Sequence, residues 1–221
     1  MRSFLKNNGL SIALAAIFFV ALLGQYVTGW HVYQLDEMQH GRIPVDLIYY
    51  ALEGHFLEAL FENWESEFLQ MAIYVIFTIF LFQKGSSESK RPDATERVDM
   101  ILAESKDDPE MPWPVRRGGI ALKIYEHSLA LAFLALFALS FVFHLISGTE
   151  EFNSTQREHG QPIVTVVEFL STSQFWFESF QNWQSEFLSV GMMVVFSIFL
   201  RQSGSHESKP VVSPHGETGP Y

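Results

Sequence analysis

The sequence predicts an all-α integral membrane protein: four transmembrane helices in two tandem, parallel helix-hairpin repeats, each with an outer interfacial or re-entrant amphipathic helix. Three observations carry that prediction. The chain is greasy for its length, with 48% apolar residues and 21 Phe among 221, and the apolar residues collect in four runs separated by charged connections. It contains one stretch twice: residues 61–90 (FENWESEFLQMAIYVIFTIFLFQKGSSESK) and 180–209 (FQNWQSEFLSVGMMVVFSIFLRQSGSHESK) align without a gap at a shift of 119, with 18 identities in 30 positions. Unrelated segments of this length share roughly two, so the match is an internal duplication. Finally, 12 of the 14 Lys and Arg fall in the N-terminal segment, the central connector and the C-terminal segment, leaving only Arg42 and Arg157 in the intervening loops. The positive-inside bias then puts both termini and the connector in the cytoplasm of an inner-membrane, multi-pass protein.

Repeat 1 covers residues 1–90. Arg2 and Lys6 precede residues 9–27, 19 positions without a charge, enough for one helical crossing; the crossing is placed at 9–28. A secretory signal fits a basic start followed by apolar residues too. The run is longer than a signal needs, lacks an A-x-A site, and has an internal counterpart, since the same shift lays Leu10 on Leu129, Ala13 on Ala132, Phe18 on Phe137 and Gly29 on Gly148. It is therefore expected to be retained. After a polar stretch broken at Pro44, residues 45–62 offer Leu47, Ile48, Ala51, Leu52, Phe56 and Leu60 at helical spacing, an outer amphipathic helix. The second crossing is placed at 64–83. Its strictly apolar part, residues 68–82, is only 15 long, about 22 Å of helix, so a full span draws Glu67 below the surface.

Repeat 2, residues 120–209, reads likewise: a crossing at 128–147, an outer amphipathic helix at 163–181 and a crossing at 183–202 that takes Glu186 with it. Between the repeats, residues 91–119 form a charged, Pro-punctuated cytoplasmic connector with a short helix around Thr95 to Glu104; residues 210–221, rich in Pro and Gly, read as a disordered tail.

Composition excludes several classes. With no cysteine, thiolate metal sites and cysteine nucleophiles are absent. A formal charge of −11 argues against a nucleic-acid partner, and no catalytic motif is present, so neither an enzyme nor a cofactor is expected. The outer segments are acidic, with 8 acids against Arg42 in residues 30–67 and 6 against Arg157 in residues 148–186.

The candidate ion or structural polar site is the pair Glu67 and Glu186 with the residues around them in each copy: Asn63, Trp64 and Ser66; Asn182, Trp183 and Ser185. A carboxylate at membrane depth is costly unless paired, hydrated or protonated, which makes it a functional candidate. The plainer reading is an interfacial acid favoured by its helix N-terminus beside a belt tryptophan, or an acid tying one repeat to the other. His40 and His159, equivalent under the shift and flanked by acids, are weaker candidates for a metal or a pH sensor; paired loop residues inherited by duplication explain them more simply. His144 is the one histidine inside a crossing, and its counterpart is Gln25, which argues against bis-His haem.

In layout each half resembles the pore-forming unit of tetrameric cation channels, although no TVGYG-like filter is present. The repeated Asn-Trp-x-Ser-Glu-Phe motif, Asn63 to Phe68 and Asn182 to Phe187, followed by an apolar run and Gln-x-Gly-Ser-x-Glu-Ser, also resembles an uncharacterised bacterial inner-membrane family known as a domain of unknown function. That resemblance implies location and no activity. The function expected is cation or proton binding or conduction at an acidic outer entrance formed by a homodimer in the lipid bilayer. The alternative is a scaffold or accessory subunit without transport.

Overall fold

The computed structural model describes residues 2–92, 94, 96, 98 and 110–219. Among them regular structure is helical only: α1 (Arg2–Asn7), α2 (Gly9–Gln39), α3 (Leu47–Tyr50), α4 (Gly54–Phe80), α5 (Trp113–Arg117), α6 (Gly119–Glu126), α7 (Ser128–Glu158), α8 (Val166–Leu170) and α9 (Ser173–Phe199). The short helix expected around Thr95 to Glu104 lies outside the described residues.

Two helices, Gly9–Gln39 and Ser128–Glu158, are long and apolar enough to cross a membrane. No residue in the most apolar window of α2 is buried, so its side chains are left to a surrounding that suits hydrocarbon. Each of these helices runs well past its apolar part, so the polar residues 30–39 and 149–158 are helical and not loop. Both end the same way: Gly41 (φ 70°) and Gly160 (φ 64°) take the left-handed turn that L side chains avoid. Arg42 N–H then donates to Glu37 C=O (2.8 Å) and Gly41 N–H to Met38 C=O (3.2 Å); Gln161 to Gln156 (2.8 Å) and Gly160 to Arg157 (3.2 Å) repeat the pattern. These are Schellman caps, and they account for the paired His-Gly of the sequence.

The expected break between amphipathic helix and second crossing does not exist. Residues 54–80 and 173–199 are each one 27-residue helix, because no proline interrupts either stretch; the break falls earlier, at residues 51–53 and 171–172, after the four- and five-residue helices α3 and α8. Helix length therefore does not force Glu67 inward.

The chain divides into two compact units. Unit 1 comprises Met1–Phe61 and Phe143–Phe175 and is centred on two aromatic triangles. Tyr33, Tyr50 and Phe56 form one, with centroids 5.5 and 5.6 Å apart along the chain of contacts. Phe152, Phe169 and Phe175 form the other, at 5.3 and 5.6 Å. Every member of the second is the first shifted by 119, and Tyr50, Phe56, Phe169 and Phe175 are buried. Gln34 Nε2 donates to Val45 C=O (2.7 Å) in one copy, and Asn153 Nδ2 to Val164 C=O (2.8 Å) in the other.

Unit 2 comprises Glu62–Val142 and Trp176–Tyr221. In it α4 and α9 meet through polar side chains. The Gln-x-Gly-Ser-x-Glu-Ser-Lys segments are the same turn twice: Ser89 Oγ accepts from Gln83 N–H and Ser208 Oγ from Gln202 N–H (both 2.8 Å), while Ser86 and Ser205 cap Glu88 and Glu207 at 3.0 and 3.2 Å. The expectation of a disordered tail is overturned for residues 210–219. The Lys209 ammonium is buried and donates to Gly85 C=O (2.5 Å), His215 C=O (3.0 Å) and Glu217 C=O (3.1 Å), while Thr218 Oγ1 accepts from Gly85 N–H at 2.7 Å. A buried ammonium needs such acceptors, and the tail supplies them.

Candidate functional site

Unit 1 holds a group of ionisable side chains whose titration is shifted by one another and by burial. On α2 the positions 26, 30, 33 and 37 lie on one helical stripe, and each has a partner in the segment that follows. Tyr26 Oη donates to Leu47 C=O, and Trp30 Nε1 to Val45 C=O at 2.7 Å. Tyr33 Oη donates to Glu53 Oε2 at 3.4 Å, and Glu37 faces Arg42 at 2.9 Å. The Schellman turn presents Arg42 so that its guanidinium holds Glu37, which is 5% exposed, on one side and Glu158 on the other. His40 approaches Glu158 at 3.8 Å with Nε2, while its Nδ1 bonds Asp36 C=O at 3.0 Å.

Beside this clasp, α7 contributes Glu150 and Glu151 one turn beyond its apolar part, and Glu53 follows α3. Burial, then the nearby carboxylates of Asp36, Glu53 and Glu37, push the Glu151 carboxyl up to about 6, with Arg42 opposing them. Glu53 is raised by burial and by Glu150, and its bond from Tyr33 offsets part of that. The Tyr33 hydroxyl is raised by burial and then by Glu53, and the Tyr50 hydroxyl is pushed up to about 12, chiefly by burial. Burial lowers His55, which shares a 2.8 Å hydrogen bond with Tyr50 Oη through Nδ1. The Tyr33 and Tyr50 phenols are thus held protonated and the His55 imidazole neutral, while Arg42 holds Glu37 and Glu158 and draws on Glu151. Burial and like charge favour the protonated form of Glu151 and, in the same direction, of Glu53.

His144 is fully buried, stacks on Phe175 at 4.9 Å and has a ring nitrogen within 4.8 Å of a Glu58 carboxylate oxygen. A Cβ on Gly148 would stand 3.0 Å from both Glu58 Oε1 and the Phe169 ring, so a side chain there would have to push one of them aside.

The sequence-chosen residues lie mostly in unit 2, and most of them make contacts within or between α4 and α9. Trp183 Nε1 donates to Glu65 Oε1 at 2.9 Å, Asn182 Nδ2 donates to Glu62 Oε1, and Gln70 Nε2 donates to Glu186 C=O (2.6 Å) and Ser189 Oγ (3.2 Å). Ser66 and Ser185 bond back to Asn63 C=O (2.7 Å) and Asn182 C=O (2.8 Å) within their own helices. Trp64 packs edge-on against Phe68 with centroids 6.4 Å apart, and Asn63 is exposed. Glu67 is exposed while Glu65 is fully buried. The acid at depth in this copy is thus Glu65, two residues from the expected one, and its counterpart is Gln184. His40 joins the Arg42 clasp, whereas His159 bonds only its own helix at Thr155 C=O (2.8 Å) among the contacts described.

Sequence reasoning passed over Glu37, Glu53, Glu65 and Glu151. One signal marked them all: under the 119-residue shift they fall on Gln156, Thr172, Gln184 and, for Glu151, Val32, so each is a charge found in only one copy.

The chain belongs to the family described as Domain of unknown function (DUF6766), whose model matches residues 1–220. No curated protein and no solved structure matches it.

Proposed function

We propose that the chain is a non-enzymatic, multi-pass membrane protein of four crossings whose acidic outer head binds cations or protons. The single observation that carries this reading is the half-buried Glu151, pushed up to about 6 by burial and by Asp36, Glu53 and Glu37 with only Arg42 opposing them, beside a Glu53 raised in turn by burial and Glu150. Charge of one sign in excess of its partners lowers its own energy by taking up a proton or a cation.

The membrane arrangement is supported from several sides. The apolar window of α2 has no buried residue, and that of α7 is only 11% buried. Within unit 2 the partners Glu62–Asn182, Glu65–Trp183 and Gln70–Ser189 are 120, 118 and 119 residues apart, which is what two parallel repeats about an axis along the membrane normal bring together. Lys and Arg concentrate in the termini and the connector, which makes that side cytoplasmic and the acidic segments 30–62 and 149–181 outer. Two crossings per repeat leave little interior, so a homodimer is the simplest way to enclose a path.

The test is flux of protons and monovalent cations in reconstituted liposomes. Glu53→Gln with Glu151→Gln is expected to abolish pH-dependent uptake, and Glu67→Gln with Glu186→Gln to leave it intact. Unchanged uptake in the first pair, with the oligomer preserved, overturns the reading. The scaffold alternative is favoured for the Asn-Trp-x-Ser-Glu-Phe motif itself, because Glu65, Gln70 and Trp183 are engaged in helix-to-helix contacts.

A further inference from the structure

The connector between the repeats leads into a feature that the function above does not use. Residues 111–125 (MPWPVRRGGIALKIY) hold three cations, Arg116, Arg117 and Lys123, and no acid; the nearest acids, Glu110 and Glu126, lie outside the stretch. The structure folds it into α5 and α6, which pack on one another across Gly118 (φ 67°) and Gly119 (φ 62°). Two successive left-handed residues make a corner that glycine takes without strain. A Cβ at either would meet nothing within 4 Å, so the demand comes from the backbone alone.

The surface of this knot is of two kinds. Trp113, Ile120, Ile124 and Tyr125 are exposed, Ile120 to 77%. Ile120 and Ile124 lie one turn apart on the same face of α6, with Lys123 flanking them. All three cations are exposed, and among the described residues none is in an ion pair. The Arg117 guanidinium stands 4.9 Å from the centre of the Trp113 ring, a contact that leaves its charge unneutralised. Water suits the cations and hydrocarbon suits the isoleucines, so a boundary between the two satisfies both.

Chain continuity supplies that boundary. α6 ends at Glu126 and α7 begins at Ser128, so His127 alone separates the knot from a helix long and apolar enough to cross a membrane. The eight residues of α6 extend about 12 Å, and the headgroup layer on each side of a bilayer is roughly 5–8 Å thick. Lying along that layer, α6 stays within it.

We propose that α5 and α6 dock on the headgroup layer of the cytoplasmic leaflet and take anionic phospholipid there. Arg116, Arg117 and Lys123 meet its phosphates, and Trp113, Ile120 and Ile124 sit at the edge of the hydrocarbon. Three cations without counter-charges favour an anionic lipid over a zwitterionic one. This inference rests on α7 crossing the bilayer.

The experiment is amide hydrogen exchange over residues 113–126 of the full chain, reconstituted in vesicles of phosphatidylcholine alone or of phosphatidylcholine and phosphatidylglycerol in equal parts. Exchange is expected to slow about fivefold or more with the anionic lipid, the worth of one cation near such a surface. Raised salt should remove most of that gain. Arg116→Gln with Arg117→Gln and Lys123→Gln should abolish it while keeping the protection seen in phosphatidylcholine, and Ile120→Ser with Ile124→Ser should lower protection in both vesicles. All five positions are exposed, where substitutions cost little stability. Equal exchange in the two vesicles overturns the proposal, as does a gain that survives in the triple variant. Protection that rises with the protein-to-lipid ratio and not with phosphatidylglycerol would mean that a second copy covers this face, and overturns it too. A chain that does not float with the vesicles would instead overturn the membrane reading on which the proposal rests.

Discussion

The two aromatic triangles of unit 1 share one backbone and differ in chemistry. Tyr33–Tyr50–Phe56 and Phe152–Phe169–Phe175 have matching centroid separations, 5.5 against 5.3 Å and 5.6 against 5.6 Å. Yet the first carries two hydroxyls aimed at Glu53 and His55, where the second has Thr172 and Gln174. Duplication kept the packing that stabilises each half and left one half free to acquire ionisable groups. The dry triangle is a support; the wet one borders the acidic cluster. What both copies share is explained by caps, turns and ring packing, whereas the hydroxyls paired with Glu53 and His55 occur in one copy only.

The strongest way to break the comparison is to remove a ring. Phe169 is fully buried, so Phe169→Ala should cost about 3–5 kcal/mol in chemical unfolding, the range for truncating a buried aromatic side chain. A much smaller loss would mean the second triangle is not a support. Next in size is the effect of pH. Glu151 sits at about 6 in the folded chain against an ordinary 4.5, so the folded state binds that proton more tightly than the unfolded one. Its penalty is absent below pH 4.5 and complete above 6, where it reaches about 2 kcal/mol. Unfolding free energy should therefore fall between pH 4.5 and 6.5, and Glu151→Gln should flatten that fall. Glu53 shifts in the same direction and adds to it. Divalent cation added at pH 7.5 should recover part of the loss in the wild type and none in the variant. Smaller again is Tyr50→Phe, which gives the first triangle the ring of the second. It should cost up to about 1.5 kcal/mol, the worth of one hydrogen bond, with the ring packing unchanged.

Much of the fold was legible because duplication and hydropathy are both written locally. The apolar windows of α2 and α7 and the correspondence of the two copies follow from spacing alone, while the turns made by the repeated Gln-x-Gly-Ser-x-Glu-Ser segments do not. What failed was anything set by which face of a helix turns inward. Glu65 and Glu67 are two residues, about 200°, apart on α4, and hydropathy does not say which is buried; Trp183, reaching across from α9, decides it. The tail was misread because its composition suits disorder, while Lys209, a single buried ammonium collecting main-chain carbonyls, orders it. Residues 30–39 were read as loop because they are polar, although polar residues propagate a helix well once an apolar run has nucleated it.

The smallest difference between the copies concerns how α3 and α8 begin. Thr165 caps α8 in a full capping box: its hydroxyl accepts from Glu168 N–H at 3.3 Å, and Glu168 Oε2 accepts from Thr165 N–H at 2.7 Å. Asp46, the equivalent residue, makes no side-chain cap to α3. Thr165→Ala should therefore cost roughly 0.5–1 kcal/mol, and Asp46→Ala no more than a few tenths of that scale. Hydrogen exchange at the amides of residues 166–169 and 47–50 measures the two separately. Equal protection losses would mean that α3 draws on a cap its geometry does not provide, and the first copy would lose its standing as the more loosely anchored of the two. The expected inequality leaves α3, which carries Tyr50 toward His55, as the less firmly started helix, on the side where the ionisable groups have gathered.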